Sequence, residues 1–248
     1  MKKASVFSLG IFFLVTAIAP LSAQLNFRLG LEGELFKRDI TSGENGSVSP
    51  LNSYFTTLRL ELESGGFALS LFGGFASSNF NTLVFRGLPF SIEFEGGGLS
   101  GLVFGAELSK VFLLNSLGVG GEARFISYTG NEKKWGIPEL AVEGELKSKP
   151  IWQQISVGPV LVYNRYENFI PFATIQYNRL SGEFSLRQLI ENLTGEEKKK
   201  IKGKGALSFS LGANFLFSSR FGIRGEASIL PHEGATDWRL NVRALFAF

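Results

Sequence analysis

Cysteine is absent from the 248 residues, histidine and methionine occur once each, and the only aspartates are Asp39 and Asp237. Without thiols there is no disulfide, thiolate zinc site, iron–sulfur ligation, catalytic cysteine or lipid-modified lipoprotein cysteine. The single histidine, His232, leaves little room for a histidine metal cluster. Charge is scarce as well, at 19% of residues. What is plentiful is glycine, with 30 residues, and phenylalanine, with 25; glycine alone is well above its usual ~7%. A chain this apolar and this weakly charged is not disordered, and its apolar surplus needs a core or a lipid phase to go to.

The first residues indicate a compartment. Met1-Lys2-Lys3 is basic, Val6 to Ala19 is apolar except at Ser8, Gly10 and Thr16, and Pro20-Leu21-Ser22-Ala23 ends on a small residue. This order is that of a secretory signal peptide, expected over residues 1–23, with residues 24–248 as the remaining domain. Loss of Lys2 and Lys3 takes two charges from the formal +3 and leaves +1. The basic run Lys198 to Lys204 lies beside Glu196 and Glu197 and is read as a solvated loop, so no nucleic-acid footprint is expected. Gly118 to Ala123 matches the dinucleotide pattern G-x-G-x-x-A, but a strand-like run continues to Tyr128 where that fold needs a helix. No cofactor and no metal are expected.

Past Ala23 the dominant period is two. Leu25, Phe27, Leu29, Leu31 and Leu35 alternate with Asn26, Arg28, Glu32 and Glu34; Leu58, Leu60 and Leu62 alternate with Arg59, Glu61 and Glu63. Successive side chains on opposite faces mean β-strands. The runs are longer than the ~5–6 residues usual in soluble sheets and match the ~9–11 of tilted membrane strands. They fall at 24–37, 53–64, 67–77, 88–96, 99–113, 117–128, 138–148, 151–163, 169–179, 204–218, 221–231 and 237–248. The expected fold is therefore an all-β, transmembrane, antiparallel up-and-down barrel of about 12 strands, with 10 or 8 as alternatives if runs merge. Tyr54, Tyr128, Trp135, Trp152, Tyr163, Tyr166, Tyr177 and Trp238 lie near run ends and are expected to form interfacial girdles. Leu186, Leu189, Ile190 and Leu193 follow helical spacing, which suggests a short helix on the outer rim or folded inward.

At the end of the chain Leu240, Val242, Ala244, Phe246 and Phe248 alternate with Asn241, Arg243, Leu245 and Ala247. Here the sequence resembles bacterial outer-membrane β-barrel proteins, in particular small porins and outer-membrane-protein-A-type barrels. The resemblance implies an integral protein of the outer membrane of a Gram-negative-type bacterium. It also implies outer-membrane lipid as a partner, and Phe246 and Phe248 as the signal read by the barrel-insertion machinery. Gly121-Glu122-Ala123-Arg124-Phe125, Pro171-Phe172, Tyr177-Asn178-Arg179 and Gly225-Glu226-Ala227 are similar to strands of chlamydial major outer-membrane porins. Oligomeric state is left open.

With the hydrophilic phase inward, the lumen is expected to hold Glu32, Glu34, Glu61, Glu63, Glu93, Glu95, Glu107, Glu122, Glu143, Glu145 and Glu226. They face Arg28, Arg59, Arg124, Lys147, Arg224, Arg239 and Arg243, which leaves an acidic surplus. Small inward residues such as Gly105, Ser208 and Gly212 would leave space for water. The expectation is a narrow, mildly cation-preferring diffusion pore for small solutes, not an enzyme. The alternative is a non-conducting structural or adhesive barrel whose salt-bridged lumen is shut and whose outer loops make the contacts. A barrel enzyme built on His232, oriented by Asp237 or Glu233, is the third option.

Overall fold

The computed structural model describes residues 25–43, 46–80, 83–94, 97–136 and 144–248. The expected signal peptide lies outside them. Among the described residues fourteen strands form: β1 (Asn26–Ser42), β2 (Ser47–Ser64), β3 (Phe67–Phe80), β4 (Leu83–Phe85), β5 (Ile92–Phe94), β6 (Leu99–Leu114), β7 (Leu117–Gly130), β8 (Lys133–Gly136), β9 (Gly144–Tyr163), β10 (Phe169–Ile190), β11 (Leu193–Gly203), β12 (Leu207–Leu216), β13 (Phe221–His232) and β14 (Ala235–Ala247). Strands β1, β2, β3, β6, β7, β9, β10, β12, β13 and β14 pair with their neighbours in that order. The β14–β1 ladder, from Arg28↔Ala247 to Lys37↔Trp238, then closes an antiparallel ring of ten. Closure leaves no unpaired edge within the ring, which a hydrocarbon environment demands.

One sheet joins twelve strands, but only ten complete the ring. The two surplus runs have local explanations. Run 88–96 holds β5, which folds back on β4 at Leu83↔Phe94 in a separate two-stranded sheet. The described part of run 138–148 is the upper end of β9, which continues through Pro150 into 151–163. Pro150 sits where the β7 ladder stops, at Thr129↔Ile151, and the β8 ladder begins, at Lys133↔Ser148. A proline is tolerated at such a change of partner because it cannot donate to a ladder, and its ring packs against the bare Gly130.

The two ends of the barrel differ. Short turns at one end join β2 to β3, β6 to β7, β9 to β10 and β12 to β13. Gly65 and Gly66, with φ of 55° and 75°, make a two-residue turn, the left-handed pair such a hairpin needs. The longer excursions all lie at the other end, which assigns the short turns to the periplasmic side and the long hairpins to the exterior. Among the exterior segments, 180–203 is a β-hairpin. Leu186 and Ile190 point inward and are buried, whereas Leu193 is exposed. Period two overrides the helical spacing, and Lys198 to Gly203 is strand instead of loop. β11 extends β10 from Ile190↔Leu193 to Ser181↔Lys202 and then meets β1 at Ser42↔Ile201. Above the ends of β12, β13 and β14 the wall is therefore completed by β11.

Two storeys result. In the lower one Leu29, Leu31, Leu58, Leu71, Leu102, Phe104, Ile155, Val157, Ile175, Phe209, Leu240 and Val242 are exposed on the outer face, forming a continuous apolar belt. Tyr54, Tyr177 and Trp238 are exposed at its upper border, and Tyr166, Phe217 and Phe248 at its lower border, as in membrane barrels. Above that border the outer face turns polar, with Lys37, Asn52 and Arg179.

Candidate functional site

The inward face carries the chemistry. Glu32 and Glu34 on β1, Arg59 on β2, Glu107 on β6, Arg124 on β7 and Arg243 on β14 converge at mid-height because all six occupy inward positions, on five strands. Arg59 Nε is 2.9 Å from Glu32 and its Nη2 is 3.0 Å from Glu107. Arg124 donates to Glu32 at 2.6 Å and to Glu34 at 2.5 Å. Arg243 grips Glu107 with two parallel bonds of 2.7 Å, the bidentate geometry that makes arginine the preferred carboxylate partner. Asn241 Nδ2 donates to Glu32 at 2.6 Å and to Glu34 at 2.8 Å. Three carboxylates meet three guanidiniums, and all six residues are buried.

A second, smaller group lies beside the first. Arg239 Nη2 is 2.5 Å from Glu226, Arg224 Nη2 is 3.4 Å from Glu122, and Gln176 donates to Glu122 at 3.1 Å. Phenylalanine rings fill the gaps: the guanidiniums of Arg59 and Arg124 lie 5.0 and 5.2 Å from the ring centre of Phe72, and that of Arg224 lies 4.0 Å from Phe172. Gly105 and Gly212 face these rings so closely that a Cβ at either would collide with Phe72 or Phe172. The small inward residues expected to leave water space here instead give the two aromatic rings their seats.

Most of the sequence-selected residues meet at this site. Glu32, Glu34, Glu61, Glu63, Glu107, Glu122 and Glu226 face the lumen, as do Arg28, Arg59, Arg124, Arg224, Arg239 and Arg243. Glu145 and Lys147 do not: they occupy outward positions on β9, where Glu145 pairs with Lys134 and Lys147 at 3.5 Å each. The parity of β9 is fixed by buried Ser148, Trp152 and Gln154 on its other face. Glu93 lies exposed on β5, outside the ring. Glu95 and Glu143 fall outside the described residues. The acidic surplus accordingly shrinks to seven carboxylates against six guanidiniums among the sequence-selected residues that face the lumen.

Above the ion pairs an aromatic and aliphatic cluster packs inside the lumen beside buried Arg38, Ser53, Ser78 and Gln154. Phe36, Ile40, Leu51, Phe55, Phe80, Leu99, Tyr128, Trp152 and Phe184 are all buried there. Trp152 stacks on Tyr128 at 5.5 Å, and Phe36 meets its edge at 5.4 Å. Tyr128 and Trp152 are thus core residues and not girdle residues, and Trp135 likewise turns toward Phe94, 5.4 Å away. The Tyr128 hydroxyl donates to the Leu99 carbonyl and the Trp152 indole to Ser78 Oγ, so both polar tips are satisfied. The β4–β5 segment closes the top by inserting Leu83, Phe85, Leu88 and Phe94. Gly87 N–H donates to Glu197 at 2.6 Å and Phe90 N–H to Gln188 at 3.0 Å, which holds the segment over the mouth.

Two cavities bracket the ion pairs. A vestibule of about 340 Å³ opens at the periplasmic end, and Glu107, Glu122, Arg224 and Arg243 form part of its lining. Toward the exterior a void of about 10 Å³ remains between Phe36, Arg38, Gln154, Asn178, Ser208, Leu230 and Arg239, room for no more than about one water.

His232 lies at the outer rim, where it meets both aspartates of the chain. Its Nε2 is 3.2 Å from Asp237 Oδ1 and 3.7 Å from Asp39 Oδ2. Asp237 Oδ1 also accepts from the Asp39 N–H at 2.8 Å, and its Oδ2 is 3.2 Å from buried Arg38 Nε. Sequence spacing linked His232 to Asp237 or Glu233; pairing of β1 with β14 brings Asp39 and Arg38 to it. The arginine supplies the counter-charge for the carboxylates, so the group reads first as a clamp between β1 and the β13–β14 hairpin. The other selected residues, Phe246 and Phe248, lie on the outward side of the end of the chain, where Phe246 stacks on Phe221 at 4.5 Å and the Phe248 N–H donates to the Phe27 carbonyl.

No family model and no curated relative matches the chain, so the chlamydial likeness finds no support there. Among solved structures, the outer-membrane protease OmpT of Escherichia coli is similar at 12% identity and a TM-score of 0.47, covering 90% of this chain and 97% of that one. The attachment invasion locus protein Ail of Yersinia pestis is similar at 12% identity and a TM-score of 0.34, covering 91% and 99%. An outer membrane channel from Pseudomonas putida F1 is similar at 12% identity and a TM-score of 0.37, covering 90% and 95%. The closed ring, the apolar belt and the unequal ends carry the assignment: the chain is an integral outer-membrane β-barrel.

Proposed function

We propose that the chain is a non-conducting barrel that holds a rigid outer storey above the membrane as a contact surface. The filled lumen carries this reading. The buried charge group around Arg124 spans the interior at mid-height, and the aromatic plug around Trp152 occupies the space above it. Ions cross a pore through water or through rings of accessible charge, and these charges are spent on one another. The outer storey is well suited to display because β9, β10 and β11 continue the barrel wall without a hinge. The reading assigns His232, Asp39 and Asp237 to a rim clamp held by Arg38. The exposed Phe246 and Phe248 at the β14–β1 seam support that strand as the segment presented to the insertion machinery; residues 1–23 are proposed as the export signal from their sequence.

Planar bilayers test the proposal. The purified full chain, shown to be folded by heat-modifiable gel migration, is expected to give no discrete conductance steps. Bacteria displaying it are expected to lose surface adhesion when Ser181–Lys202 is replaced by a short turn. Reproducible steps with a cation-selective reversal potential would overturn the reading and favour the diffusion pore, with the periplasmic vestibule as its inner mouth.

A further inference from the structure

The outer face of the upper storey is not electrically uniform. On β2, β3, β6 and β7, the wall above the belt presents Asn52, Ser77, Asn79, Ser100, Ser127 and Thr129, all uncharged. On β9, β10 and β11 the corresponding positions include Lys149, Arg179, Arg187, Lys198, Lys200 and Lys202, all exposed. Their alternate neighbours Leu180, Phe184, Leu186 and Ile201 are buried, so the cations share one outward face.

Ladder register places them side by side. Ser185 on β10 lies directly between Lys149 on β9 and Lys198 on β11. Lys200 is opposite Glu183, and Lys202 is opposite Ser181. With strands ~4.8 Å apart, the Lys149 and Lys198 backbones are separated by about 10 Å, a gap that two flexible ammonium groups can close on one anion. Lys198 also contacts Glu196 at 3.4 Å. The other five cations make no ion pair among the described residues. Repeated cations left unpaired on a rigid sheet favour a polyanionic partner.

We infer that this wall binds the phosphorylated headgroups of outer-leaflet lipid. Its position selects the lipid over a soluble polyanion. Arg179 is the next outward residue above Tyr177, which is 51% exposed at the border of the belt. An acyl chain lying on Ile175 and Tyr177 therefore delivers its headgroup to Arg179 and Lys202. The cations point sideways along the membrane plane. The hairpin tip, Glu191-Asn192-Leu193-Thr194, which a soluble partner would meet first, carries none. Lysine serves phosphate as a compact point charge and arginine as a fork, and the wall offers both.

The test uses the full chain in detergent, with native mass spectrometry reading retained lipid. The probes are bisphosphorylated lipid A and its dephosphorylated form. Retention of the phosphorylated form is expected to be at least about tenfold stronger, as clustered charge-assisted contacts imply. The combined variant Lys149→Gln, Arg179→Gln, Lys198→Gln, Lys200→Gln and Lys202→Gln should erase the difference while keeping heat-modifiable migration; exchanging lysine for arginine and arginine for lysine at the same positions should preserve it. Equal retention of the two lipids, or an undiminished preference in the glutamine variant, overturns the inference. Displacement by millimolar inorganic phosphate, or preferential capture of a soluble sulfated oligosaccharide by the same cations, overturns it as well, because the wall would then serve a free anion. Bilayer conductance is independent of these outcomes, so failure here and failure of the closed-barrel reading are distinguishable.

Discussion

The lower and upper storeys of this barrel obey the same period of two with opposite polarity. Along β1 the outward residues Leu29, Leu31 and Leu35 give way to Lys37 and Asp39, while inward Glu32 and Glu34 give way to Phe36 and Ile40, with Arg38 between them paired to Asp237. Along β9 outward Val157 and Ile155 change to Lys149 and Lys147, while inward Gly158 and Ser156 change to Trp152 and Pro150. The change falls at the border marked by Tyr54, Tyr177 and Trp238. Each strand is thus one uninterrupted ladder crossing two solvents. Where lipid is outside, apolar side chains need no burial and the polar ones must satisfy each other within. Where water is outside, the ordinary arrangement of an apolar core returns.

The contrast can be broken first at the ion pairs. Arg124→Met removes the cationic partner of Glu34 and one cationic partner of Glu32 and leaves their carboxylates buried; a loss of about 3–5 kcal/mol is expected. Urea unfolding in detergent, followed by tryptophan fluorescence, measures it, and a loss below 1 kcal/mol, at the order of an exposed pair, would mean that the lumen is wet. A matched pair on the outer face of β2 comes next. Leu58, 70% exposed in the belt, should lose about 2–4 kcal/mol as Leu58→Arg. Asn52→Arg, on the same face above the border, should stay within about 0.5 kcal/mol. Equal costs would erase the distinction between storeys. A smaller loss than at Leu58 is expected for Tyr128→Phe, which removes the hydroxyl bond to the Leu99 carbonyl in the upper core; about 1 kcal/mol should be lost.

How much of this was legible in the chain depended on which storey was being read. In the belt, alternation of Leu58 with Arg59 and of Leu240 with Asn241 named both the strands and their inward residues, and these are the residues that pair. In the upper storey the same reading misplaced Glu145 and took Tyr128 and Trp152 for girdle residues. Parity there is fixed by burial of aromatic side chains that look interfacial in one dimension. Pro150 read as a break because a ladder's change of partner has no local signature. The β10–β11 hairpin was hidden because Leu186, Leu189, Ile190 and Leu193 fit helical spacing, and only pairing with β9 and β1 decides for strand.

Sequence alone determined that these residues form long, alternating strands and that an excess of apolar surface must meet lipid, since both follow from local periodicity and composition. It also placed most of the carboxylates and guanidiniums on the inner face. Whether those charges face water or one another was decided only by ring closure. Ten strands bring β1, β2, β6, β7 and β14 close enough for Arg59, Arg124 and Arg243 to reach Glu32, Glu34 and Glu107, and glycines at 105 and 212 admit the rings that fill the remainder. The distance across a barrel depends on strand number and tilt, both properties of the closed sheet, so no stretch of the chain records it.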